Sequence, residues 1–239
     1  MPDKMVSEPF TVKTVLLRFL ARIIVSDKAS DWIDLMKKIL IILMVCGLNP
    51  VGASPATIVI YGDSISAAYG IGLDLGWVTF LQKKLQSEGY NYEVSNESIS
   101  GETSAGGVAR IDKVLAVTKP KILILELGAN DGLRGLSPFI MKQNLSMIIN
   151  RAQRSGAKVL LVSMRIPPNY GSRYTELFYQ TYPALAKTQK IPWVPFILND
   201  IALNKKLMQG DGLHPSAEAQ PLIADKIWFY LQPLLVTAQ

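Results

Sequence analysis

Short runs of apolar, mostly β-branched or leucine residues alternate along this chain with longer stretches of helical periodicity. Ile58-Val59-Ile60-Tyr61 is the first run; residues 92–96, 122–127 and 159–162 follow, then Trp193-Val194 between Pro192 and Pro195. Helical patterns fall between and after them, over residues 77–87, 107–116, 138–155, 173–190 and 216–231. Strands alternating with helices predict parallel strands joined by crossover helices. Breaks at Ser87-Glu88-Gly89, Thr118-Lys119-Pro120, Ser155-Gly156 and Gly210-Asp211-Gly212 punctuate the pattern where the elements should end. The expected fold is α/β: a flavodoxin-like three-layer αβα sandwich around a five-stranded parallel sheet, in which ligands bind beyond the carboxyl ends of the strands.

The first 53 residues do not fit this pattern. Met36-Lys37-Lys38 supplies a basic head, residues 39–48 an apolar core, and Val51-Gly52-Ala53 small residues suited to cleavage after Ala53. We read residues 36–53 as a signal peptide, with a buried strand or an uncleaved anchor as the alternative. Residues 1–35 are read as a mis-assigned N-terminal extension, although residues 14–24 also suit a basic amphipathic helix at a membrane surface. Residues 54–239 then form a single domain in the periplasm or outside the cell.

Composition narrows the chemistry. The one cysteine, Cys46, lies in the leader, so the mature chain is expected to carry no disulfide and no cysteine metal site. The formal charge of +6 falls to +4 without the leader, with 18 basic and 14 acidic residues scattered along the sequence. Scattered charge without interleaved aromatics argues against nucleic-acid binding and allows at most weak association with a membrane surface. Gly70-Ile71-Gly72 lacks the third glycine of a dinucleotide fingerprint, no phosphate-loop lysine motif is present, and no metal or cofactor is expected.

Four motifs lie at the predicted strand ends. Gly62-Asp63-Ser64-Ile65-Ser66 places a serine where the first strand stops. Gly101, in Ser98-Ile99-Ser100-Gly101-Glu102-Thr103-Ser104, offers an unobstructed backbone N–H, and Asn130, in Gly128-Ala129-Asn130-Asp131-Gly132, offers a side-chain amide. Asp211-Gly212-Leu213-His214-Pro215 brings a carboxylate and the chain's only histidine into one loop. A serine hydroxyl needs a base to take its proton, and the imidazole doing so needs a carboxylate to fix its tautomer. Each motif alone is also ordinary turn or cap chemistry, so the reading rests on the four together.

In order and spacing these blocks resemble the SGNH hydrolases, also called the GDSL family. The longer stretches around Gly101, Asn130 and His214 are similar to the bacterial periplasmic acyl-CoA thioesterase, arylesterase and lysophospholipase subgroup. The resemblance implies a flavodoxin-like fold, Ser64 as nucleophile, Asp211 and His214 as its partners, and an oxyanion hole from Ser64, Gly101 and Asn130. Two positions depart from it: Ile65 stands where leucine is usual, and Ala129 where a glycine often precedes the asparagine. The second departure matters only if residue 129 needs a positive φ.

The expected activity is a serine esterase or thioesterase working through an acyl-enzyme. Its substrates would be small-molecule aryl esters, acyl-CoA or lysophospholipids, and a monomer is the expected state. Pro167 and Tyr170, in the loop after the fourth strand, are the candidate walls of an acyl-chain groove. A carbohydrate O-acetyl esterase of the same fold and a noncatalytic envelope-binding protein are the alternatives.

Overall fold

A computed structural model describes residues 32–34, 36–38 and 54–236. Of the expected leader, residues 36–38 are described, as exposed helix. Its apolar core, Cys46, the Ala53 junction and residues 14–24 lie outside the described residues. The chain divides into two units, Met1–Ala53 and Ser54–Gln239, and the second carries everything that follows. Among the described residues no helix is long and apolar enough to cross a membrane.

The second unit runs β1 (Ala56–Gly62), α1 (Trp77–Ser87), β2 (Tyr92–Asn96), α2 (Ser104–Thr118), β3 (Ile122–Glu126) and a one-turn helix α3 (Ala129–Leu133). It continues with α4 (Pro138–Arg154), β4 (Lys158–Val162), α5 (Ser172–Gln189), β5 (Trp193–Val194) and α6 (Gln220–Leu231). All five strands are parallel, in the order β2-β1-β3-β4-β5. This is the flavodoxin-like sheet expected from the alternation of runs. Residues 58–61 of β1 and all of β3 are buried, as central strands covered on both faces must be.

Each helix turns one apolar stripe inward. Leu81 and Leu85 of α1, Ile111 and Leu115 of α2, and Leu145, Ile148 and Ile149 of α4 are all fully or nearly fully buried. α1 packs with α6, while α4 packs with both α2 and α5, covering the two faces of the sheet. Gln220, buried at the start of α6, accepts a hydrogen bond from Trp77 N at 3.0 Å. It thereby satisfies one of the unpaired N–H groups at the start of α1, where Gly76 has no side chain to do so.

Several boundaries and one turn differ from expectation. α2 begins at Ser104 rather than at residue 107, because Thr103 caps it by accepting from Gly106 N. β3 ends at Glu126 rather than at residue 127. α6 begins at Gln220, after a 3₁₀ turn over Ala217–Ala219, rather than at residue 216. The Asn-Asp-Gly stretch after β3, read as a turn, is the short helix α3, entered through Gly128 at φ 118°.

In this strand order the chain leaves β1 to one side for β2 and returns to β1's other flank for β3. The crevice at that reversal, beyond the carboxyl ends of β1 and β3, is where such sheets bind ligands. Ser64 follows β1 by two residues and Asn130 follows β3 by four.

Candidate active site

β1 ends at Gly62, and the chain then folds through turns from Ser64 to Gly70 rather than entering a helix. Ala67 N donates to Asp63 O and Tyr69 N to Ser64 O, closing the turn and leaving the Ser64 hydroxyl partly exposed at its apex. The His214 ring approaches from the loop before α6, with Nε2 2.9 Å from Ser64 Oγ. Nδ1 of the same ring lies 2.6 Å from Asp211 Oδ2. Asp211 Oδ1 accepts from Leu213 N and His214 N, at 2.9 and 3.0 Å. Partial burial pushes the Asp211 carboxyl up, but hydrogen bonds from the His214 backbone, its ring and Leu213 N outweigh it and lower the pKa to about 2. Asp211 is thus an anion at neutral pH, able to hold the ring with its other nitrogen toward the serine.

Gly101 and Asn130 come to the same end of the sheet through loops that are tied together. Gly101 sits at φ +78°, and a Cβ there would meet the Arg134 guanidinium only at an ordinary contact distance of 3.9 Å, so glycine is required there for backbone angle, not for room. Its carbonyl accepts from the Arg134 guanidinium at 2.9 Å. Asp131, buried beside Asn130, accepts from both Ser104 N and Ser104 Oγ, at 2.7 and 2.5 Å. One carboxylate therefore fixes α3 against the start of α2. Glu102 in the Gly101 loop pairs with Arg110 in the second turn of α2. Among the described residues neither Ser64 N nor Gly101 N donates to another group.

The substitution at residue 129 is answered by its neighbour. Gly128 takes the positive φ, while Ala129 opens α3 and is not among the positive-φ residues. A Cβ on Gly128 would lie 2.4 Å from Tyr182 Oη and 2.8 Å from Met141 Sδ, so that glycine answers to space as well as to angle.

A buried pair of carboxyls beneath Ser64 was not anticipated from the motifs. Asp63, 1% exposed, accepts from Ile65 N at 3.1 Å and from Asn130 Nδ2 at 3.2 Å. Glu126, 0% exposed, accepts from Asp63 N at 3.2 Å and from Ser66 Oγ at 2.7 Å through one oxygen. Its other oxygen is buried with no partner among the described residues. Burial raises the Asp63 carboxyl to about 6. Burial and then the Asp63 charge raise Glu126 well above the usual carboxylate range. The only hint in the sequence was an acidic residue closing the otherwise apolar run of β3.

A cavity of about 220 Å³ opens beside Ser64 and His214. Ile65, Leu133, Met164, Phe196, Leu198 and Leu213 give it apolar walls, and Pro167 and Arg165 complete one side. Tyr170 is not part of the lining; its hydroxyl donates to Leu133 O at 2.8 Å, bracing a residue that is. Leu133 ends α3, Met164 follows β4, and Phe196 and Leu198 follow β5, so these wall residues come from three separate segments and no local pattern marked them. Among the described residues no group of three or more His, Cys, Asp or Glu could hold a metal ion.

A hydroxyl, an imidazole and a carboxylate linked in series over the carboxyl ends of a parallel sheet define a serine hydrolase of αβα type. The chain belongs to the GDSL-like lipase/acylhydrolase family, whose model matches residues 60–221. It is 49% identical over 183 residues to esterase TesA of Pseudomonas aeruginosa, covering 77% of this chain and 91% of that protein. It is 42% identical over 183 residues to thioesterase 1/protease 1/lysophospholipase L1 of Escherichia coli, covering 77% and 86%. A crystal structure of the psychrotrophic esterase EstA from Pseudoalteromonas sp., inhibited by monoethylphosphonate, superposes with a TM-score of 0.72 at 41% identity, covering 74% of this chain and 97% of that one. The chain is accordingly a serine ester hydrolase.

Proposed function

We propose that Ser64 is the nucleophile, His214 its base and Asp211 the group orienting that base, in a hydrolase of acyl esters and thioesters. The observation that carries this is the unbroken series from Asp211 Oδ2 to Ser64 Oγ through the two nitrogens of one ring, at 2.6 and 2.9 Å. His214 Nε2 takes the Ser64 proton as Oγ attacks the acyl carbonyl, and the carbonyl electron pair moves onto oxygen. Ser64 N–H, Gly101 N–H and the Asn130 amide receive that oxyanion. When it collapses, the bond to the alcohol or thiol breaks, His214 returns the proton to the leaving group, and Ser64 is left acylated. Water, deprotonated by the same nitrogen, then releases the acid.

The apolar cavity supports an acyl chain longer than acetyl, against a polar groove suited to O-acetylated sugar. Relatives named as esterase and as thioesterase and lysophospholipase support aryl esters, acyl-CoA and lysophospholipids as the substrate range. We place the enzyme in the periplasm after removal of residues 36–53, which intact-mass measurement of the exported protein checks. The catalytic reading is tested by hydrolysis of p-nitrophenyl esters from acetyl to palmitoyl, with Ser64→Ala and His214→Ala alongside. Turnover should favour chains beyond acetyl and vanish in both variants. Activity persisting in either variant would remove that residue from the mechanism.

A further inference from the structure

The nucleophile and the base belong to segments 150 residues apart, and one side chain spans the gap between them. Gln209 Nε2 donates to Tyr69 O, at the end of the Ser64 turn, at 2.7 Å. The same nitrogen donates to Pro215 O, next to the base, at 3.0 Å. The two hydrogens of a primary amide thus go to the two segments that must meet for proton transfer. Gln209 is also tied into the base loop through its backbone: its N–H donates to His214 O at 2.8 Å, and its carbonyl accepts from Gly212 N at 3.0 Å.

The Ser64 turn is shaped to receive this amide. A Cβ on Gly70 would lie 2.2 Å from Gln209 Oε1, 3.0 Å from Cδ and 3.1 Å from Nε2, so the edge of the amide lies against a residue with no side chain. Gly70 stands at φ +75°, and Ala68 is one of three non-glycine residues at positive φ among the described residues. A β-carbon residue in that region costs on the order of 1 kcal/mol or more, and such strain gathers where a segment is held for a purpose. Here it delivers Tyr69, whose ring lies 4.5 Å from the His214 ring, tilted by 38°. Tyr69 is therefore gripped by Gln209 through its carbonyl while its ring covers one face of the imidazole.

We propose that Gln209 is a positioning residue which, with Tyr69, sets the distance between His214 Nε2 and Ser64 Oγ. The inference rests on the Ser64–His214 reading above. Gln209 touches no substrate and takes no proton. It acts by preventing the base loop from sliding away from the nucleophile turn. A misplacement of about 1 Å between reacting groups costs as much as 10²-fold in rate.

The test uses the full chain and two variants that disturb the same contact from opposite sides. Gln209→Met keeps the length and removes both donors, whereas Gly70→Ala leaves Gln209 in place and drives a methyl into its amide. Both should lower kcat roughly tenfold or more with little change in KM, and the double variant should lose much less than the product of the two, as residues sharing one contact do. Because the chain has one histidine, ¹⁵N-histidine labelling reports on His214 alone. Its ring resonances should shift in both variants as the Tyr69 ring current is lost, while circular dichroism stays that of the parent. Full kcat in Gln209→Met, or unmoved His214 resonances in both variants, overturns the proposal. Ser64→Ala is carried in parallel: if it retains activity the catalytic reading has failed, and if it is inactive while Gln209→Met is fully active only the positioning role has failed.

Discussion

The side-chain amide of Asn130 donates to Asp63 Oδ2 at 3.2 Å, across the gap between the two strand ends that define the crevice. The donor proposed for the oxyanion is thus aimed by a buried carboxyl adjacent to the nucleophile. Asn130→Ala should lower kcat by roughly 10²- to 10³-fold, the cost of one oxyanion donor. Asp63→Ala should lower it by a smaller factor, and the double variant should be little worse than Asn130→Ala, because Asp63 acts through that amide. Steady-state kinetics on p-nitrophenyl butyrate decide the point: losses that multiply would separate the two residues.

The Asp211 carboxylate has both a catalytic and an acid-stability consequence. Asp211→Asn should reduce turnover about 10⁴-fold, since the amide cannot hold the ring in the required tautomer. Its pKa is lowered on folding from 3.8 to about 2, so the native state binds the proton less tightly than the unfolded chain. The associated stability is present above about pH 4 and lost as pH falls through about 2. It is reduced by solvent, as the Asp211 side chain is 39% exposed. Thermal melts from pH 5 to 2 should therefore fall more steeply for the parent than for Asp211→Asn.

Asp63 and Glu126 work in the other direction. Their pKa values are raised on folding, so the native state binds protons more tightly and loses stability as pH rises from about 4 through about 6 and beyond. Glu126→Gln keeps an oxygen to accept from Asp63 N and Ser66 Oγ but cannot ionise. Its Tm should change less between pH 5 and pH 8 than that of the parent. Parallel Tm curves for the two proteins would show that Glu126 does not take part in this titration.

Gly128 and Ala129 should respond unequally to exchange. Gly128→Ala places a Cβ against Tyr182 and Met141 at φ 118° and should cost on the order of 3 kcal/mol by strain and overpacking. Ala129→Gly, at a position inside the first turn of α3, should cost only about 0.5 to 1 kcal/mol. Urea unfolding measures both.

Tyr170 and Leu133 bear on chain-length preference. Tyr170→Phe removes the bond to Leu133 O and leaves the ring, so it should soften one wall of the cavity. Relative turnover of p-nitrophenyl octanoate against butyrate should change by a few fold, less than the roughly 10- to 200-fold that one methylene is worth in an apolar pocket. An unaltered ratio would show that the cavity shape does not depend on that bond.

The sheet and the helices covering it were legible in the sequence because their signals are local. A strand buried on both faces must be apolar throughout, as Ile58 to Tyr61 and Ile122 to Leu125 are, and a covering helix must repeat its apolar residues at helical spacing. The boundaries at Ser104 and Gln220 were less legible, since they depend on a cap and a 3₁₀ turn. α3 was hidden because Asn-Asp-Gly is turn chemistry by propensity, and it becomes helical here as Asp131 is drawn in to meet Ser104.

The sequence by itself determined the parallel αβα architecture and nominated Ser64, Gly101, Asn130, Asp211 and His214, since each stands in a short motif, the first three following strands and the last two in the loop before the final helix. Only the tertiary structure decided that Ser64 Oγ and His214 Nε2 lie 2.9 Å apart, that Asp63 and Glu126 lie buried beneath them, and that Leu133, Met164, Phe196 and Leu198 wall one cavity. The physical reason is separation along the chain. Local spacing fixes backbone conformation over a few residues, whereas proton sharing, desolvation and cavity shape arise among groups that meet only after the strands have been ordered β2-β1-β3-β4-β5.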